Sequence, residues 1–303
     1  MKRELASICS SERYASIISL FAAALSMPIP IYDNHIHLRP DGECIAALRR
    51  FRRAGGTGLT LVNLPYPHIP VEGAEAFNRE YELTFRLAVR AREETGLKVN
   101  VAVGPYPVTF LSLRDAIGAE RAEEEMRKAL DNAIKSVYEG RAQAIGEVGR
   151  PHFPVDGEAM NASNRILSYA MELAADADCP VIIHSEHADV AVMKEFADMA
   201  EAAGLPRGKV VKHLSSPLVL ETENHGIMPS IPASRSALRE ALSKGGDFLM
   251  ETDYIDDPAR PGAAMDVVSV PKRIKGFMQS GELDERTVWR IGEEIPARLY
   301  GVR

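Results

Sequence analysis

The sequence predicts an α/β protein, and within that class a closed (β/α)8 barrel of the TIM type, on three observations. From Ile29 onward, short apolar runs rich in β-branched residues alternate with longer stretches of helical periodicity. Eight such runs can be read, which is the number a parallel barrel needs. No repeat, low-complexity tract or Gly/Ser/Pro-rich linker divides the 303 residues, a length that single barrels commonly reach. Residues 28–303 therefore read as one domain, preceded by an extension at 1–27.

The first run, "IPIYDNHIHL" (29–38), closes on His35 and His37, and side chains at i and i+2 of a strand project together. A helical pattern at 43–53 leads to "GLTLVNL" (58–64), and another at 74–95 leads to "KVNVAVG" (98–104). Helical periodicity at 119–138 precedes "AQAIGEVG" (142–149), which holds Glu147. The pattern at 162–175 precedes "PVIIHSE" (180–186) with His184, and that at 189–203 precedes "KVVKHL" (209–214) with His213. The seventh run, "GIMPSI" (226–231), is short and contains Pro229. After helical residues 235–243 comes "DFLMETD" (247–253), ending on Asp253, and helical patterns at 270–279 and 287–301 complete the chain.

Barrels of this type carry their reactive groups at the C-terminal ends of the strands. Each of His35, His37, Glu147, His184, His213 and Asp253 closes an apolar run that would otherwise bury it, at a cost that a partner or a metal must offset. A strand cap, or an ion pair of Glu147 or Asp253 with Arg150 or Lys212, would explain any one of them alone. Together they describe a site for two divalent cations, Zn²⁺, Mn²⁺ or Fe²⁺ by ligand chemistry, with Mg²⁺ a further candidate.

The motifs "DNHIHL", "IGEVGRPHFPV", "PVIIHSE", "VVKHLSS" and "METDYIDDP" resemble those of the TatD-related metal-dependent hydrolases of the amidohydrolase superfamily. The resemblance runs from about Pro28 to the C-terminus, and "GRPHFPV" with "ETDYIDDPARPGA" looks like an archaeal branch of that family. It implies that His35, His37, Glu147 and Asp253 hold one metal and Glu147, His184 and His213 the other, with Glu147 bridging. Where TatD nucleases carry Leu-Asp after the strand-four motif, this chain has Arg150, Pro151 and His152. The bridging position that many amidohydrolases give to a carbamylated lysine is taken by a carboxylate.

The chemistry so implied is hydrolysis by an activated water, with Glu147 and Asp253 as catalytic carboxylates and Asp253 as proton acceptor. Asp33 is expected either to orient a ligand histidine or to serve a turn. Substrate contacts are expected from Arg150 and His152 beside the metals, from His68 after strand two and from Tyr254 after Asp253. For Arg150 the competing reading is an ion pair that supports the fold, and for the 254–261 loop it is a rigid turn. A solvated loop or helix start is the reading for Glu186 and His187, and a loop without chemistry for His225. The substrate expected is a phosphoester, a small molecule or the end of a DNA strand, cut in the manner of a nuclease. An amide or lactone is the alternative, and a metal-binding interaction module without turnover is the second alternative.

The net charge of −7 offers no basic field for extensive nucleic-acid binding. Arg49, Arg50, Arg52 and Arg53 in "RRFRR" read as a solvated helix end capped by Gly55 or Gly56, on the face opposite the site. Cys9, Cys44 and Cys179 lack CxxC spacing, which points to a reducing cytoplasm and away from a disulfide framework. Lys2, Arg3 and the apolar residues 17–25 loosely imitate a signal peptide, but Glu4, Glu12, Arg13 and Tyr14 interrupt it. An accessory helix, or translation from Met27, is the reading preferred there. No segment is apolar enough to cross a membrane, and self-association through outer helices is the one protein partnership such barrels suggest.

Overall fold

In the computed structural model, which describes residues 29–260 and 264–301, strand and helix alternate as the sequence predicts. The extension at 1–27 lies outside the described residues. The strands are β1 (Tyr32–His37), β2 (Gly58–Val62), β3 (Lys98–Val103), β4 (Ala144–Gly149), β5 (Val181–His184), β6 (Val210–Lys212), β7 (Met228–Pro232), β8 (Leu249–Glu251) and β9 (Tyr254–Ile255). The helices are α1 (Ile45–Ala54), α2 (Ala74–Thr95), α3 (Thr109–Ile117), α4 (Ala119–Tyr138), α5 (Gly157–Asp176), α6 (Val190–Ala202), α7 (Glu221–Asn224), α8 (Arg235–Lys244) and α9 (Ser269–Gln279). Helix α10 (Glu285–Trp289), a π-helical turn (Arg290–Glu294) and α11 (Ile295–Tyr300) end the described chain.

All neighbouring strands are parallel, in the order β8-β7-β6-β5-β4-β3-β2-β1-β9. The eighth run is broken in two: β8 pairs with β7, while β9 pairs with β1 through Ile36↔Tyr254 and His37↔Ile255. One short segment thus bonds to both ends of the sheet and closes it. The break falls at Thr252 and Asp253, where Asp253 adopts φ +50°, a conformation uncommon outside glycine. Asp33 fills the gap in the ladder by accepting from Thr252 N at 3.1 Å and Thr252 Oγ1 at 2.7 Å. It also accepts from the backbone N–H of His35, so the structural role expected as one of its two alternatives is the one it has.

Alternation along the strands sorts two cores. Val99, Val101 and Val103 of β3 pack with Phe77, Tyr81, Met126 and Leu130 of the surrounding helices. Ala102 joins Val62, Ala144, Ile182 and Val211, modest side chains of the neighbouring strands, in a second cluster. Two features differ from the sequence reading. Helix α3 is an addition, because "VTFLSL" has the β-branched and aromatic character of a strand. Helix α5 starts earlier than expected, since the Asp156 side chain caps it by accepting from Ala159 N. Strand β7 holds with Pro229 opposite Lys212.

At the far end of the barrel, Gly55 caps α1 with φ +109°. Arg49 pairs there with Glu94, as a solvated helix end should, whereas Arg50 reaches back along the helix to Glu43 and to Asp266, beside the 254–258 loop.

Candidate metal centre

His35 and Glu147 both sit where the strand register slips, between Asp33 and Ile36 on β1 and between Gly146 and Val148 on β4. Such irregularities re-aim side chains next to functional sites. His184 ends β5, His213 follows β6, and Asp253 occupies the break between β8 and β9. The fold brings all six predicted residues together. His37, Glu147, His184, His213 and Asp253 line a cavity of about 260 Å³, with Leu64, Pro65, Tyr106, Ile255 and Arg260 as the remaining wall. His35 lies fully buried behind them, its ring stacked on His213 at 3.9 Å between centroids.

The donor atoms form three overlapping sets: His35–His37–Asp253 and Glu147–His184–His213, which hold all six predicted residues, and His35–His213–Glu251. In the first, His35 Nε2 and His37 Nε2 are 3.2 Å apart and His37 Nε2 is 3.6 Å from Asp253 Oδ1. In the second, Glu147 Oε1 lies 3.2 Å from His213 Nε2 and 3.5 Å from His184 Nδ1. The same oxygen is 3.1 Å from His35 Nε2, so Glu147 joins the two sets. Ligand atoms sharing one cation at about 2.1 Å stand roughly 3.0–3.4 Å apart, so these residues fit a divalent metal.

The outer ring nitrogens agree with that fit. His37 Nδ1 donates to Val62 O at 3.0 Å, which leaves its Nε2 lone pair facing the cavity. His184 Nδ1 is buried without a hydrogen-bond partner, an orphan that a cation would satisfy. Burial by itself would raise the Glu147 carboxyl, yet the rings of His213, His184 and His35 hold it well below the usual carboxylate range. Asp253 is lowered in the same way against its burial, chiefly by His213 and by its contact with His37. Burial depresses the His35 ring, but Glu147, Glu251 and Asp253 outweigh that and raise it to about 9. The carboxylates thus stay charged, offset by ring protons that a cation held there would displace.

Four other predicted residues divide. His152 stands beside the site without lining the cavity, with its Nδ1 2.9 Å from His184 Nε2. Arg150 does not face the cavity: its Nε donates to Asn164, Nη1 to Glu186 and Nη2 to Glu195, at 2.6, 3.0 and 2.9 Å, and its plane covers Phe196. The fold-supporting ion pair is its actual role, and it also occupies Glu186. His68 is exposed and lines a separate cavity with Glu75, Asn78 and Arg79, because the 65–69 turn carries it outward past the rim. Tyr254 points away from the metals, its hydroxyl donating to Asp256 at 3.1 Å as that carboxylate also gathers the N–H groups of Glu43 and Cys44. His187 contacts the Ser216 hydroxyl at 3.1 Å, and His225 caps α7.

Glu251 was not anticipated. Fully buried, it lies with Oε1 2.9 Å from His213 Nδ1, out of line for a hydrogen bond, while accepting from Leu214 N. Lys212, a possible partner for Glu147 on sequence grounds, instead donates to His213 O.

A closed parallel barrel with imidazoles and carboxylates at metal-ligand spacing on its C-terminal rim is the architecture of a metal-dependent hydrolase. The chain belongs to the TatD related DNase family, whose family model matches residues 32–301. It is 38% identical over 281 residues to the uncharacterized protein MJ1127 of Methanocaldococcus jannaschii, covering 90% of this chain and 96% of that protein. Among solved structures, the TatD homolog YJJV of Escherichia coli is similar with a TM-score of 0.64 at 20% identity, over 91% of this chain and 100% of that one. The phosphotriesterase homology protein of Escherichia coli, solved with phosphate in its active site, gives a TM-score of 0.62 at 15% identity, over 90% and 99% of the two chains. At these identities the solved structures speak for the fold.

Proposed function

We propose that this chain hydrolyses phosphoesters with the help of two divalent cations, DNA strand ends being one candidate substrate. The observation that carries the reading is the pair of donor sets joined by Glu147 at one cavity. Two further facts support it: the family is described by its DNases, and a similar barrel holds phosphate in its active site. The formal charge of −7 favours a small phosphoester or a strand end over a long stretch of nucleic acid.

His35, His37, Glu147 and Asp253 would hold one cation, and Glu147, His184 and His213 the other; Zn²⁺, Mn²⁺ and Mg²⁺ are the candidates. Bound there, such cations supply Lewis acidity, lowering the pKa of water and polarising a phosphoryl oxygen. The chain supplies the rest. Asp253, whose side chain is 18% exposed, has a second carboxylate oxygen beyond the one facing His37 and takes the proton of the attacking water. Leu64, Pro65 and Ile255 form an apolar wall that excludes bulk water and strengthens the charges inside. His152 steadies His184 through its outer nitrogen. A reducing cytoplasm is the setting we infer, supported by Cys44 and Cys179, both buried and without a disulfide among the described residues.

The test is a panel of phosphodiesters, phosphomonoesters, lactones and cyclic amides, assayed with Mn²⁺ or Zn²⁺. Turnover of a phosphoester is the expected result. Turnover of a lactone or cyclic amide with every phosphate compound untouched would replace this reading by its amidohydrolase alternative.

A further inference from the structure

We infer that Arg260 and Tyr106 form an anion subsite that grips the non-reacting oxygens of the substrate's phosphoryl group, facing the candidate metal ligands across the cavity. The inference rests on the reading that this cavity receives the phosphoester.

A phosphoryl group brings negative charge into a cavity whose floor already holds Glu147 and Asp253. Even with cations bound, its outer oxygens need donors of their own. Arg150, the cation nearest in sequence to Glu147, has its donors committed to Asn164, Glu186 and Glu195. Arg260 is the only Arg or Lys among the described residues that line the cavity. Its Nε is anchored to Asp257 Oδ2 at 2.8 Å, and Asp257 is itself held by Arg39 Nη1 at 3.1 Å. The two Nη groups of Arg260 have no acceptor among the described residues, and the side chain is 67% exposed. The planar fork is therefore anchored at one edge and open at the other, the form in which guanidinium binds phosphate with two hydrogen bonds.

Tyr106 enters from the end of β3, with its ring edge-on to His184 at 5.0 Å between centroids. Its hydroxyl likewise has no partner among the described residues, although the side chain lines the cavity. A phenol carries its proton at neutral pH. Its O–H is thus a standing donor on the wall near Arg260. Neither residue stands at a strand end with an obvious metal role, which is why motif reading passes over Tyr106.

The probe is inorganic phosphate, bound to the full chain loaded with Mn²⁺ and followed by calorimetry, with metal content measured for each variant. Arg260→Gln is expected to retain its metal and weaken phosphate binding by about tenfold or more. Arg260→Lys, a point charge without the fork, should fall between the two, and Tyr106→Phe should weaken binding by a few-fold. If phosphate binds Arg260→Gln within twofold of the parent at equal metal content, the subsite is wrong. Phosphate binding that depends on Arg260 in a protein that hydrolyses no phosphoester would keep the subsite and remove the proposed function. Phosphoester hydrolysis with phosphate affinity indifferent to Arg260 would do the reverse.

Discussion

Glu251 shows how a single side chain can matter without touching a substrate. Its carboxylate accepts from Leu214 N at 2.8 Å and from the Ser230 hydroxyl, while its Oε1 stands 2.9 Å from the outer nitrogen of His213. A carboxylate so placed favours, through its charge, a proton on that outer nitrogen and so leaves the Nε2 lone pair for a metal. Glu251→Gln is expected to keep the fold and to lower metal affinity by about ten- to a hundredfold, measured by titration with a competing chelator. Unaltered affinity would reduce Glu251 to a backbone clasp. The six ligand candidates were legible because each is a polar residue that ends an apolar run, where only a partner or an ion makes its burial tolerable. Glu251 was hidden by its own neighbour, since it lies two residues before Asp253 and any polar signal there is already explained. Arg150 misled for the opposite reason: adjacency to Glu147 says nothing of direction, and Gly149 at φ +137° turns the chain toward Glu186 and Glu195.

At the scale of elements, α2 carries an unusual load. Glu80 faces inward beneath Tyr66, fully buried, and neither of its carboxylate oxygens has a hydrogen-bond partner. Burial raises this carboxyl from 4.5 to about 8, against smaller contributions from the Tyr66 backbone and Arg79. Between those two values the folded chain holds a proton that the unfolded chain has released, so stability falls as pH rises. The contribution of Glu80 is complete below pH 4.5 and is lost as the pH climbs through about 8. In Glu80→Gln the slope of urea stability between pH 5 and pH 8 should flatten; an unchanged slope would show that Glu80 is charged in the folded protein at neutral pH. The strands themselves were legible from β-branched residues and alternation. The split of the eighth run was not, because it depends on the Asp33 clasp to Thr252 across the closing seam, a contact 219 residues apart in sequence. Helix α3 stayed hidden because local propensity favoured a strand and packing decided otherwise.

The whole molecule is a barrel closed by one broken strand, with its chemistry gathered at one rim and its arginine-rich helix end at the other. At the base, the C-terminal turn seals the floor: a Cβ on Gly292 would stand 2.2 Å from Pro30 O, so only glycine permits that approach. Among the described residues no helix is long and apolar enough to cross a membrane. What the barrel accomplishes is convergence, since residues from position 35 to position 253 meet in and behind the wall of one cavity. The direct test is the metal content of the full chain after loading with Mn²⁺ or Zn²⁺ and gel filtration, beside a His35→Ala, His37→Ala variant. The expectation is about two ions per parent chain and a marked loss in the variant, with matching circular dichroism. A parent chain that retains no metal, or a variant that retains as much as the parent, would contradict the metal centre itself.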